Sequence, residues 1–537
     1  MARKPKLSIF DLSHQKKLSL RFGDLVPIQL QEVVPGDVFK NQTEIMLRFA
    51  PMLAPIMQNI DVYTHFFFVP NRLVMSSWDK FITGGEDGSA GNILPYIALD
   101  TNISDATTVF GVGSLADYLG CPVTTISQPV DTVNGSINVL PFRAYQLIYN
   151  EYYRDQNLIP EVPFDRDLIH VAGNSPDFME LVQLRRRSWR KDYFTSALPW
   201  AQRGAPVGLP LGSGTLSANV NNPAVHFNLS SNTPTNVKYA GWNIGSGSQT
   251  LLTGDLWDEN GGSPVDEGNF TAQLHDSSVS GSVTFGAANI NDLRTAIKVQ
   301  EWLEKNARGG SRYIESILAH FGVMTPDARL QRPEYLGGGR QPVMISEVLQ
   351  TAPAQNSEQT PLAEYAGRGI CVGNQNIYKQ RFTEHGYIMG IMSVMPRASY
   401  VQGLPKHFQR KDRYDFFWPE FAHLGEQEIL KGELFYNYFG QAPQNYTGFG
   451  YTPRYSEYKF NLDTVHGKMR TNLDYWHQAR LFQTWPNLNK DFIECNQALD
   501  DLERIFAVQG EGDYLYCLVN HNIKALRPMP KFGTPMF

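Results

Sequence analysis

Charge is in short supply in this sequence. Only 19% of the residues are Asp, Glu, Lys or Arg, too few for the charged faces of a coiled coil or a helical solenoid. Cysteine is scarcer still. Cys121, Cys371, Cys495 and Cys517 form no CxxC pair and keep no metal-ligand spacing, which reads as unpaired thiols in a reducing cytosol. Long apolar runs are missing too. The most apolar run, Ile388–Met395, is short and broken by Gly390 and Ser393, so no bilayer-spanning segment is expected. The first residues are polar and basic, unlike a signal peptide. A net charge of −6 argues against wholesale polyanion binding and confines nucleic-acid contact to local patches.

Catalytic signatures are absent as well. There is no GxxxxGK[ST], no HExxH and no GxSxG. Gly111-Val-Gly-Ser-Leu-Ala116 fits GxGxxA, follows Thr107–Phe110 and precedes Asp131 by twenty positions. Pro122 and Pro129 interrupt the would-be second strand, however, and no βαβ alternation follows. A turn leading into a short helix over Ser114–Leu119 explains the same residues. His385, His423, His466 and His477 share no ligand spacing and read as structural histidines. No catalytic residue, cofactor or metal is expected.

What the chain does have is aromatics, at 12%, with 45 Gly and 33 Pro spread over 537 residues. That mixture suits one elaborated domain of short strands joined by long ordered loops. Its organising stretch is Val26–Trp78. Ile45, Leu47 and Phe49 alternate with Glu44, Met46 and Arg48, the period of a half-buried strand. In Asp61–Pro70 both alternating sets are bulky, with Val62, Thr64, Phe66 and Phe68 opposite Tyr63, His65, Phe67 and Val69. That strand should be covered on both faces. Between these runs and the chain start, Glu32-Val-Val-Pro-Gly-Asp-Val-Phe39 centres a Pro-Gly turn between two strands.

Residues 1–22 carry Arg3, Lys4, Lys6, Lys16, Lys17 and Arg21 against Asp11 alone. This basic N-terminal arm is the candidate DNA-contacting segment. Residues 84–91 form a glycine-rich loop. Ala144, Leu147, Ile148 and Tyr152 predict a helix that begins after Pro141 and ends near Asn157. Arg185, Arg186, Arg187, Arg190 and Lys191 form a second basic cluster around Trp189 and Tyr193. It reads as a solvated or inter-subunit face ahead of a base-stacking one.

Residues 205–286 stand apart. Lys238 is their only basic residue, and Gly, Ser, Asn and Thr dominate. Val225, Phe227, Trp242, Leu251, Leu252, Leu256, Trp257, Phe270 and Phe285 supply apolar anchors for a small β-rich insertion that projects from the main fold. Beyond it, Asn289 or Asn291 caps a helix with Leu293, Ala296, Ile297, Gln300 and Leu303 on one face. Ala307-Arg-Gly-Gly-Ser311 breaks it. Ser311 then caps a second helix with Tyr313, Ile314, Ile317, Leu318 and Phe321 turned inward. Strands are expected again at Gly386–Met395, Tyr414–Trp418, Leu434–Phe439 and Arg454–Phe460. The parts are thus an arm (1–22), an N-terminal β part with helical loops (23–204), the insertion (205–286) and a helical loop with a C-terminal β part (287–537). Sheets must join residues hundreds of positions apart.

Blocks scattered over nearly the whole chain resemble one family. They include Glu32-Val-Val-Pro-Gly-Asp-Val-Phe39, His65-Phe-Phe-Phe-Val-Pro-Asn-Arg-Leu73, Leu140-Pro-Phe-Arg-Ala-Tyr145 and Tyr153-Arg-Asp-Gln-Asn157. In the second half they are Ala307-Arg-Gly-Gly-Ser-Arg-Tyr313, His320-Phe-Gly-Val323, Phe421-Ala-His-Leu-Gly-Glu426, Pro453-Arg-Tyr-Ser-Glu-Tyr-Lys459 and Tyr475-Trp-His-Gln-Ala-Arg480. In this order they resemble the major capsid proteins of the Microviridae, small single-stranded-DNA bacteriophages, and of the gokushovirus branch in particular.

The resemblance implies a mainly β protein, an eight-stranded antiparallel jelly roll (a viral β-sandwich) with long loop insertions and a few helices. It implies a homo-oligomer, a T=1 icosahedral shell of sixty copies around circular ssDNA. It also implies a small internal DNA-binding protein, a scaffolding protein and a host surface receptor as partners, with no membrane. The location implied is the virion, assembled in the bacterial cytoplasm, with 205–286 as a surface protrusion serving host attachment. The reading from the residues alone leaves two rivals, a carbohydrate-binding or hydrolytic β-sandwich and a soluble ssDNA-binding module.

Overall fold

The computed structural model describes residues 7–85, 93–99, 109–124, 135–171, 176–205, 207–208, 225–229, 237–238, 257–258, 270–274, 290–310, 312–349, 365–439, 442–508, 510 and 512–532. Two compact units emerge, one of residues 1–205 with 302–537 and one of residues 206–301.

The larger unit is built on two antiparallel sheets. Ten strands form them: β1 (Ser8–Asp11), β2 (His14–Leu20), β3 (Val26–Val33), β4 (Val38–Phe49), β5 (Ile60–Pro70), β6 (Glu334–Pro342), β7 (Met344–Leu349), β8 (Tyr365–Arg381), β9 (Gly386–Pro396) and β10 (Leu515–Arg527). The first sheet runs β6-β5-β9-β3. The second runs β10-β4-β8-β7, with both β1 and β2 paired to the outer edge of β10. The chain's last strand therefore lies between its first ones, with Leu515 opposite Phe49 and Lys524 opposite Lys40. That is the long-range closure expected from strand runs at both ends of the sequence.

Side-chain alternation decides which face each strand buries. On β4, Ile45, Leu47 and Phe49 point into the layer between the sheets, while Glu44 and Arg48 are exposed. On β5, Val62, Phe66 and Phe68 enter that layer, and Phe67 and Val69 enter a second apolar cluster on the far side. Both faces are covered, as the doubled aromatic pattern requires. Facing residues interlock across the layer: the Phe68 and Phe382 rings lie 4.7 Å apart, and Phe66 meets His521 edge-on at 6.2 Å. Burying each large apolar side chain contributes roughly 1.5–3 kcal/mol, which makes this layer the main source of stability.

β9 explains the interrupted apolar run. All eleven of its residues are buried, because it is an interior strand with a core on each side. A Cβ on Gly390 would stand 2.6 Å from the Phe66 ring, so the glycine makes room for the phenylalanine. The predicted Pro-Gly turn is present between β3 and β4. Gly36 takes φ +96°, as the third position of a type II turn needs.

The second cluster packs long loops over the outer face of the β6-β5-β9-β3 sheet. The helix Leu140–Ile148 lies there with Leu140, Phe142, Ala144, Tyr145 and Ile148 buried, and Phe67 touches Tyr152 with ring centroids 4.6 Å apart. This helix ends earlier than its pattern suggests. It widens into a π turn over Tyr149–Tyr153 and stops at Arg154, which is extended. The short helix Leu115–Leu119 forms as expected, with the Ser114 hydroxyl accepting from Asp117 N. It belongs to a turn, as read; Thr107, Pro129 and Asp131 of the GxGxxA reading lie outside the described residues.

Three expected strands do not form. Tyr414–Trp418, Leu434–Phe439 and Arg454–Phe460 are loops with short 3-10 turns at Arg413–Asp415, Lys431–Glu433 and Ser456–Tyr458. The local ladder pairs Glu426–Leu430 with Gly448–Pro453 instead. The physical reason is exposure: Tyr414, Phe416, Phe417, Trp418, Tyr438, Phe439, Tyr458 and Phe460 all face outward, and the buried residues Leu434, Tyr455 and Ser456 do not alternate along their segments, so no buried face selects an extended run. In the helix Tyr313–Phe321, likewise, Tyr313, Leu318 and Phe321 are exposed rather than inward. Its N-cap is Arg312; Ser311 lies outside the described residues, as do 86–91 of the glycine-rich loop.

In the 206–301 unit, Val225–Leu229 pairs with Phe270–Leu274 and Val237–Lys238 with Trp257–Asp258. Ile290–Gly309 is a helix. Trp242, Leu251, Leu252, Leu256, Phe285 and Asn289 lie outside the described residues.

Candidate assembly and nucleic-acid surfaces

The basic N-terminal segment is only partly a tail. Arg3, Lys4 and Lys6 lie outside the described residues, whereas Lys16 and Lys17 sit on β2 and Arg21 just beyond it. Lys16 turns inward and donates to the Pro27 carbonyl at 2.9 Å and to the Tyr118 carbonyl. Burial lowers its pKa to about 8 against the pull of Asp117. Arg21 pairs with Asp513 at 2.9 Å. Lys17 is exposed and has Leu518 as its neighbour on β10.

The sheet that β2 joins carries more cation than the arm alone suggests. Lys524, Lys40 and Lys379 stand directly opposite one another on β10, β4 and β8, and all three are exposed. Like charges placed side by side on neighbouring strands repel. Asp11 approaches this row from β1, opposite Lys524. The sequence hid this ladder because its members lie far apart in sequence, Lys40 more than 300 positions from either of the others, and only strand register unites them.

The second basic cluster is dispersed by the fold. Arg185 is buried, bonded to Gln146 Oε1 at 2.8 Å and to Glu180 at 2.8 Å. Arg186 faces Asp24 at 3.7 Å, and Lys191 holds Asp155 at 2.6 Å. Arg187 and Arg190 line a cavity with Trp189.

A larger feature was missed in sequence. The segment from Lys406 to Phe460 presents a field of exposed rings, from Phe408 through Trp418 to Tyr438 and Phe439, the last 84% exposed. Cations plate several of them: Arg410 sits 4.6 Å from the Tyr458 ring, Lys411 4.8 Å from Tyr446 and Arg413 4.8 Å from Tyr414. Aromatics with Arg are the composition of protein interfaces, and so many exposed rings gathered in one segment suit an association surface. The usable signal was adjacency: Phe416, Phe417 and Trp418 in a row, flanked by Arg413 and Pro419, obey neither strand nor helix period.

Three of the four histidines read as structural have contacts within the fold, and His423 is exposed. His477 bonds the Met469 carbonyl at 2.8 Å, His466 meets Thr464 at 2.9 Å, and His385 packs on Trp78 with ring centroids 5.7 Å apart. Among the described residues no group of His, Cys, Asp and Glu could hold a metal, and no helix is long and apolar enough to cross a membrane.

An antiparallel β-sandwich wrapped in long loops, with a ring-studded flank for partners, defines a structural protein that works by self-association. The comparisons with known proteins give the family. Residues 2–537 match the family described as Capsid protein (F protein), and the chain belongs to it. It is 36% identical to the capsid protein VP1 of Bdellovibrio phage phiMH2K and 35% identical to that of Chlamydia phage 1, over 98% of this chain and 95% of each relative. The VP1 of Spiroplasma virus 4 is 30% identical over 98% of this chain and 94% of that protein. The protein is a phage major capsid protein of gokushovirus type and not an enzyme. Its place is the virion, as one subunit of a capsid shell.

Proposed function

We propose that sixty copies of this chain close into a T=1 icosahedral shell around a circular ssDNA genome. Assembly takes place in the bacterial cytoplasm, with a scaffolding protein and a small internal DNA-binding protein of the phage as partners. The observation that carries this reading is the exposed aromatic flank between Lys406 and Phe460, which a permanently monomeric protein would not tolerate. The lysine row on β10, β4 and β8 supports a genome-facing role for that sheet: the opposite sheet is buried under loops, whereas this one is bare and repels itself until an anion covers it. Lys17 adds a further exposed cation to that sheet, Lys16 and Arg21 contribute through the strand they anchor, and Arg3, Lys4 and Lys6 complete the candidate DNA-contacting segment by their charge. Residues 205–286, acidic and rich in small polar residues, project outward, where they do not repel DNA and can meet a host receptor.

Electron microscopy and size-exclusion chromatography of particles from infected or expressing cells test the proposal. Icosahedral particles of T=1 size, with nuclease-protected circular ssDNA inside, are the expected result. Discrete small oligomers, or shells of a different triangulation, would reject it.

A further inference from the structure

The two sheets of the main unit have four edges, and a sheet edge invites another strand because its N–H and C=O groups lack partners. Three of these edges are guarded. β1 and β2 occupy the outer edge of β10 as two short pieces, and the longer one carries Lys16 and Lys17. β3 lies against the helix Leu115–Leu119, and its Pro27 carbonyl is taken by Lys16 at 2.9 Å. β6 is broken by a bulge between Tyr335 and Gly337 and continues through Gly338, Gly339, Arg340 and Pro342, which make a poor template for pairing.

β7 has none of these guards. Met344-Ile-Ser-Glu-Val-Leu349 contains no Gly, Pro or Lys, pairs with β8 in unbroken register, and leaves Met344 72%, Val348 49% and Leu349 46% exposed. The direction of its backbone groups follows from β8. Gly367 exchanges both of its backbone hydrogen bonds with Met52, at 3.3 and 3.2 Å, on the side away from β7. Alternation then turns Ala366, Arg368 and Ile370 toward Val348, Ser346 and Met344. Ile345, Glu347 and Leu349 are left with N–H and C=O groups aimed outward, and no backbone group among the described residues bonds to them.

We infer that β7 pairs antiparallel with β7 of a second copy across a two-fold axis, so that two sheets become one. Paired residues must point to the same face, so the axis runs normal to the sheet and passes through a residue paired with itself. Ser346 suits that centre. Ile345 of each copy then meets Glu347 of the other, each pair exchanging both backbone bonds, while Met344 meets Val348 and apolar surface covers apolar surface. The two Glu347 carboxylates stand diagonally, roughly 7–8 Å apart. A centre on Glu347 would set like charges directly opposite, which is destabilising, and a centre on Ile345 would need the Val343 N–H, already given to the Ile60 carbonyl at 2.8 Å. A second copy fits better than a foreign strand because one segment supplies both halves of this match. An axis normal to the sheet also keeps both lysine rows on one side of the wall, as a radial two-fold of the proposed shell requires. This pairing rests on the reading of the protein as a shell subunit.

Cysteine substitution in full-length chains assembled into shells tests the register. Opposed residues at a site without mutual backbone bonds stand about 4.5 Å apart at Cα, within disulfide reach. Under mild oxidation Ser346→Cys should give a covalent dimer on a denaturing, non-reducing gel, whereas Glu347→Cys and the wild type should stay monomeric. Glu347→Pro removes an N–H that points out of the subunit and leaves the ladder with β8 intact, so it should keep the wild-type melting temperature and lose shell assembly. Glu347→Gln retains that N–H and should assemble. In wild-type shells the Ile345 and Glu347 amides should exchange hydrogen more slowly than in dissociated subunits, by about tenfold or more. Well-formed Ser346→Cys shells without the dimer would overturn the proposal, as would Glu347→Pro subunits that assemble at wild-type yield. Slowed exchange at these amides without the Ser346→Cys crosslink would give the edge to another phage protein and overturn it equally. A wild-type chain that forms no closed shell would instead remove the shell reading, an outcome told apart because it appears before any variant is made.

Discussion

Arg527 Nη2 lies 2.9 Å from Asp37 Oδ2 across 490 positions of sequence. The Asp37 carboxylate is fully buried and also accepts from Val34 N at 3.0 Å within the β3–β4 turn. The last residue of β10 thus locks the first tight turn of the sandwich, and Arg527 rests its guanidinium 5.6 Å from the Phe39 ring. Arg527→Ala would strand a buried carboxylate, a change that costs about 3 kcal/mol. The urea midpoint of the isolated subunit should fall accordingly; an unchanged midpoint would show that water replaces the guanidinium.

The aromatic flank should separate folding from assembly. Tyr438 and Phe439 are mostly exposed in the single subunit, so Tyr438→Ala and Phe439→Ala should change subunit stability by no more than about 0.5 kcal/mol. At an interface centre the same truncations cost about 2 kcal/mol or more per contact, multiplied around a closed shell. Light scattering should show folded subunits that fail to assemble. In Phe66→Ala the order reverses, because the Phe66 core position loses about 3–5 kcal/mol and soluble protein falls before assembly can be measured.

These two classes of aromatic explain what could be read in advance. Phe66, Phe67 and Phe68 announced a strand with two covered faces because alternation is visible in ten residues. The β4 pattern and the Pro-Gly turn were legible for the same reason. Trp418 and Phe439 suit strands by composition, whereas both are exposed in the subunit, so no buried face imposes a period on their segments. The lysine row and the cavity around Arg187 were illegible, since each draws its residues from distant strands and exists only once register is fixed. Conversely, the basic arm looked continuous in sequence, yet the strand period sends Lys16 inward and Lys17 outward.

Acid should loosen the subunit through two histidines. Burial holds His521 down to about 4, and burial with Arg187 holds His65 down to about 4, against about 6.5 unfolded. Their contribution is whole above pH 6.5 or so and drains away toward pH 4, because the unfolded chain takes the protons first. Asp24 runs the other way. Burial pushes it up to about 7 despite Arg186 and Arg21, so its contribution is complete at low pH and fades toward neutrality. Between pH 7 and 5 each histidine loses about 2 kcal/mol and Asp24 recovers about 2. The wild type should therefore weaken by about 2 kcal/mol. His521→Gln should flatten that slope and Asp24→Asn should steepen it; denaturation series with parallel slopes in all three proteins would refute the assignment.

The N-terminal cations can be tested without disturbing the sheet. Deleting through Lys17 would remove β1 and most of β2, so the informative variant is Arg3→Gln, Lys4→Gln and Lys6→Gln together. Particle yield should hold while packaged DNA falls. For a peptide of residues 1–12 binding ssDNA, three phosphate contacts give a log–log salt slope of about −2, at roughly −0.7 per contact. Salt-independent binding, or full DNA content in the variant, would remove these residues from the genome surface.

The lysine row yields a prediction in which stability and function move in opposite directions. Lys40 stands between Lys524 and Lys379, so in a subunit free of DNA it is repelled from both sides. Lys40→Glu converts two like-charge pairs into two opposite-charge pairs, and cross-strand pairs of this kind are worth roughly 0.2–1 kcal/mol each. The empty subunit should therefore become more stable, by about 1 kcal/mol, with the gain shrinking as salt screens the row. If the row instead faces phosphate in the filled shell, the same change puts a carboxylate against the genome, and packaged DNA should fall while empty-shell yield holds. A residue conserving neither charge nor repulsion, Lys40→Gln, should lie between the two in both measurements. Equal DNA content in Lys40→Glu shells would mean that this sheet faces a protein partner or solvent, and the stability gain alone would remain as a property of the strand register.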